Sequence, residues 1–81
     1  MKFSEWKTIT IARLIEIKRR HEDNPKIVND VNAILSKLHY AKVRDLSTIL
    51  LYLHHASVDL KEFLELIPSK EEIMEWFKEE A

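Results

Sequence analysis

The sequence predicts an all-α domain, a compact bundle of four to five short helices, and three observations carry that prediction. Glycine is absent and proline occurs only at Pro25 and Pro68, so little interrupts the chain. Apolar residues recur at three- and four-residue spacing through the stretches between those breaks. Residues suited to starting helices stand where the spacing restarts.

The first helix is expected from near Ser4 to about Glu22, where Asp23-Asn24-Pro25 interrupts it. Asn24 is then a good N-cap, with Pro25 at the first helical position. The second helix carries Ile27, Val31, Ile34 and Leu38 as one stripe, widened by Val28 and Leu35. A third, about Lys42 to Ala56, aligns Val43, Leu46, Leu50 and Leu53, with Leu51 off that seam. Asp59 and Glu62 read as an acidic capping box before Phe63, Leu64 and Ile67, and Pro68 closes that segment. Ser69 with Glu72 opens a last helix bearing Ile73, Met74, Trp76 and Phe77.

Residues 1 to 81 are expected to form one domain, because a chain this short has little room for both a packed core and a deep catalytic cleft. At 46% hydrophobic and 33% charged it lies far from the composition of disordered chains. Cysteine is absent, which excludes disulfides, thiolate zinc sites and cysteine nucleophiles. The first residues lack a signal-peptide apolar run, and Ile49 to Leu53 is too short to span a bilayer, so a cytoplasmic protein without membrane contact is expected.

The formal net charge of −1 hides an asymmetry. Residues 1 to 44 hold ten Lys and Arg against five Asp and Glu; residues 45 to 81 hold three against nine. Such a distribution suits an anionic partner, attraction between copies, or compensation within one fold.

The order Ile49-Leu50-Leu51-Tyr52-Leu53, then Leu60-Lys61-Glu62-Phe63-Leu64, then Pro68-Ser69 leading into Ile73 and Trp76-Phe77, resembles the three-helix core of helix-turn-helix proteins. The resemblance implies a helix-turn-helix-like arrangement of the last three helices and a DNA-reading final helix. That helix holds five Glu against two Lys, a charge that repels phosphate. Contact with protein, or with nucleic acid through another face, follows as the expectation.

Candidate binding residues fall into two groups. Phe3, Trp6, Ile9, Ile11, Leu14, Ile15 and Ile17 almost surround the first helix, which predicts either burial between layers or a face shared with a second copy. Near the C-terminus, Trp76-Phe77 either anchors a partner or divides its work, with Phe77 in the core and Trp76 over a seam. Trp6, Ile9, Trp76 and Phe77 are therefore the candidate partner contacts, and a homodimer or another protein the expected partner. The alternative is a small nucleic-acid-binding regulator using Lys18, Arg19, Arg20 and Lys26. Cationic side chains equally suit a helix C-terminus, where they meet the negative end of the macrodipole.

No catalytic, cofactor-binding or metal-binding residue is predicted. His54 and His55 are adjacent and diverge by about 100° on a helix, so they cannot easily grip one ion, and His21 and His39 lie in other segments. Without glycine the familiar phosphate loops are excluded, and no nucleophile stands beside an oriented base. The function expected is a non-enzymatic protein-interaction or regulatory module acting through apolar helix faces, with no cofactor and no small-molecule substrate.

Overall fold

The computed structural model describes residues 1–80. It contains α1 (Phe3–Arg20), α2 (Pro25–Leu38), α3 (Leu46–Ala56) and α4 (Lys70–Glu80), with 3-10 stretches at Val43–Asp45 and Lys61–Leu66 on either side of α3. Among the described residues there is no strand, and the expected all-α bundle is what the chain forms.

Helix starts follow local chemistry. Glu5 accepts the Lys2 backbone N–H at 3.1 Å, which sets the first turn of α1. The Asn24 side chain accepts the Ile27 N–H at 3.4 Å and Pro25 occupies the first helical position of α2. Asp45 accepts the Lys42 N–H at 2.8 Å ahead of α3. At α4 the expected capping box is present in both directions: Ser69 Oγ accepts the Glu72 N–H, and Glu72 accepts the Ser69 N–H, each at 3.2 Å.

Four segments enclose the core. α1 packs on α2, α2 on α3, and α3 on the Lys61–Leu66 stretch. That stretch closes back on α1 through Arg13–Glu65 at 3.6 Å, an Arg20–Glu62 ion pair, and the Trp6 indole N–H donating to the Leu66 carbonyl at 3.0 Å. Leu14, Val31, Leu38, Leu53 and Phe63 lie wholly inside, and burial of side chains of this size contributes roughly 1.5–3 kcal/mol each.

The segment after α3 departs from the expected capped α-helix. Leu60, not Asp59, is the residue before its first turn, and the backbone winds as a 3-10 helix. Three residues per turn places i and i+3 on one face, so Phe63 and Leu66 point inward together and Leu64 is left 41% exposed. The same period sets Glu62 and Glu65 along one ridge toward Arg20 and Arg13, which are seven positions apart on α1. A 3-10 run of six residues exceeds the usual three or four, and contacts with α1 on both its apolar and acidic edges support it.

α4 meets the body against Val43–Asp45 and the start of α1. Trp76 is 1% exposed, its indole N–H donates to the Met1 carbonyl at 2.8 Å, and its ring lies 5.5 Å from Phe3 and 5.7 Å from Trp6. The expected division between the two C-terminal aromatics is therefore reversed: Trp76 is core and Phe77 is 45% exposed. Burying the indole removes more apolar surface from water, and its one donor finds a carbonyl, so nothing polar is left unpaired. The molecule measures 42 × 20 × 17 Å, as befits a helix added at one end of a bundle.

Candidate functional site

The apolar residues of α1 are mostly absorbed by the fold. Trp6, Leu14 and Ile17 are buried, and Phe3 and Ile11 pack half-buried against the core. Trp6, expected to contact a partner, instead stacks on Phe3 at 5.8 Å and is 5% exposed. Ile9 and Ile15 remain outside, at 46% and 54% exposed, but six positions apart they lie about 120° around the helix and form no single patch. Ile15 instead overlooks a shallow groove between α1 and α2, lined also by Val28 and Leu35 and rimmed by Lys18, Arg19 and Glu22.

The basic cluster is largely compensated within the chain. Lys18 donates to the Asn32 side chain at 2.9 Å, Arg19 pairs with Glu16 at 2.6 Å, and Arg20 pairs with Glu62, whose hydrogen bond raises the guanidinium pKa. Lys26 lies near enough to Asp30 to favour its ionised form. At the other end of the α1–α2 hairpin, Lys7 donates to the Ala41 carbonyl at 3.2 Å. Of these contacts and those that close the bundle, two ion pairs, Arg20–Glu62 and Arg13–Glu65, join the basic first half to the acidic second.

α4 carries an exposed apolar pair on its outward side. Trp76 faces inward beside Ile73, which is half-buried. Met74 and Phe77, three positions apart, share the outward side at 62% and 45% exposed. Glu71 and Lys78, seven positions apart and both exposed, border one edge of the strip this pair forms, while Glu75 and Glu79 turn further round the helix. Of the four candidate partner contacts, α4 presents Phe77, α1 presents Ile9 on a separate surface, and Trp6 and Trp76 are structural. Met74 was missed by the sequence reading of partner contacts; its i, i+3 relation to Phe77 was the signal that would have found it.

A second feature joins α2 to the turn after α3. Asp30 Oδ2 is buried with no hydrogen-bond partner among the described residues, and Asp59 approaches the same carboxyl. Two carboxylates cannot bond unless one holds a proton. Desolvation, then the hydrogen bond and charge of Asp59, push the Asp30 pKa up from 3.8 to about 6, against the pull of Lys26. Because the folded pKa is the higher one, this contribution to stability is fully present below about pH 4 and is lost as pH rises through 6. Asp30→Asn should therefore stabilise the protein at pH 7 by on the order of 1 kcal/mol, reduced from the full conversion by solvent around the partly open pair. Thermal melts at pH 4.5 and 7.5 check it. A variant whose gain is the same at both values would rule out the shared proton.

Among the described residues no three His, Asp or Glu side chains converge as metal ligands would, and no helix is long and apolar enough to cross a membrane. No protein-family model, no curated protein and no solved structure matches the chain. The likeness to a helix-turn-helix core therefore stays at the order of its segments, whose middle member here is a 3-10 stretch.

Proposed function

We propose that the protein is a non-enzymatic protein-interaction module whose binding surface is the outward face of α4. One observation carries the reading: Trp76 already docks α4, so Met74 and Phe77 stand 62% and 45% exposed on a helix they do not hold in place. An exposed aromatic beside a flexible thioether side chain is the composition found at the centres of protein interfaces. The charged residues around the strip suit orientation of a partner rather than the bulk of its affinity. The nucleic-acid alternative loses ground, since Lys18, Arg19 and Arg20 already have partners inside the chain.

Replacing Phe77 with a photo-reactive aromatic residue should give a cross-link to a protein, and the product should disappear when Met74→Ser is added. Leu51, 56% exposed on α3, supplies the control position. Equal cross-linking from position 51, or a product indifferent to Met74, would remove α4 as the binding surface. Phe77→Ala itself should cost less than about 1 kcal/mol of stability, because much of the ring is already in water.

A further inference from the structure

Resting on that reading of α4, we infer that the occupant of its outward face is the α4 of a second copy, packed antiparallel about a two-fold axis passing between Met74 and Phe77. The spacing of the strip and the charge along its edge together point to this arrangement. Met74 and Phe77 stand three apart, as the two seam positions of a paired helix do, and an antiparallel partner sets Met74 of one copy against Phe77 of the other. Glu71 and Lys78 then lie on the edge beside the seam, both exposed and opposite in sign. Antiparallel pairing brings Glu71 of each copy toward Lys78 of the other, so one axis creates two ion pairs.

Parallel pairing sets the edge that carries Glu71 and Lys78 on opposite sides of the seam in the two copies, so neither ion pair forms. Docking of α4 into the groove between α1 and α2 of another copy is disfavoured too. Lys18 and Arg19 on that rim are already held by Asn32 and Glu16 within the chain.

The size of the surface sets the strength. An 11-residue helix is about 16 Å long, and one face of it covers well under the roughly 800 Å² per partner of a standard stable interface. The dimer is therefore expected to be weak.

Sedimentation velocity of the full chain, from roughly 10 μM to 1 mM at low salt, reads the equilibrium directly across that range. The wild type should shift from monomer to dimer. E71K alone and K78E alone should each weaken association by about tenfold or more, the doubly reversed E71K/K78E should recover it, and an equimolar mixture of the two single variants should associate as the wild type does. Monomer throughout the range overturns the inference, while leaving α4 as a surface for a different protein. Association lost in Phe77→Ala but untouched by either single reversal overturns the antiparallel pairing and keeps the α4 face. A dimer unaffected by Phe77→Ala shows that copies meet elsewhere, which overturns the inference as well. Unchanged melting temperatures in the charge variants confirm that folding is not what the experiment reads.

Discussion

Trp76→Ala is expected to cost roughly 3–5 kcal/mol, because it empties a fully enclosed indole site and leaves the Met1 carbonyl without its donor. For a chain of this length total stability is about 4–12 kcal/mol, so a loss of that size is a large share of it. The melting temperature should fall by well over 10 °C. Far-UV circular dichroism should also lose part of the α4 signal before the main transition, since the indole is the most enclosed side chain tying α4 to the body. Phe77→Ala, one position along, is the internal control. Equal losses in the two variants would mean that both rings are core and that α4 has no free apolar face.

Phe63→Ala should have an effect of similar size, about 3–5 kcal/mol, with Phe63→Leu retaining most of the stability. Phe63 is wholly buried, and it is the aromatic side chain through which the Lys61–Leu66 stretch fills the space between α1 and α3. Leu64→Ala separates this geometry from an ordinary α-helix. In the 3-10 winding Leu64 faces outward and the change should stay within about 1 kcal/mol; in an α-helix with Phe63, Leu64 and Ile67 on one stripe it would cost several times more. Urea unfolding curves of the three variants decide between the two.

Helix identity was legible wherever the sequence supplied both a period and a cap. Asn24-Pro25 and Ser69 with Glu72 marked starts that the structure reproduces atom for atom, and Ile27, Val31, Ile34 and Leu38 are all buried as their spacing required. The 3-10 stretch was not legible, because Phe63, Leu64, Leu66 and Ile67 satisfy a 3.0 and a 3.6 period about equally over six residues. The winding that forms turns Phe63 and Leu66 into the core and sets Glu62 and Glu65 beside two arginines of α1, contacts dozens of positions away that no local pattern contains. Trp76 and Phe77 posed a similar problem. Adjacent aromatics leave either one to face inward, and the choice rests on an acceptor at Met1 that no local pattern announces. Charge asymmetry pointed to external partners and to internal pairing alike; Arg13 and Arg20, paired with Glu65 and Glu62, are where the fold consumes it.

The bond between Trp76 and Met1 spans 75 positions, and its place in the chain bears on the order of assembly. The α1–α2 and α2–α3 pairings close short loops and can form early, whereas seating the indole requires both ends of the chain to meet after the bundle exists. Backbone amides of α4 are accordingly expected to exchange with deuterium through a partial opening, at a lower free energy than those of α2, which is flanked on two sides. α4 is then a separate cooperative unit that rides on a more slowly exchanging scaffold. Docking on the outward face of α4 would slow its exchange without altering that of the scaffold.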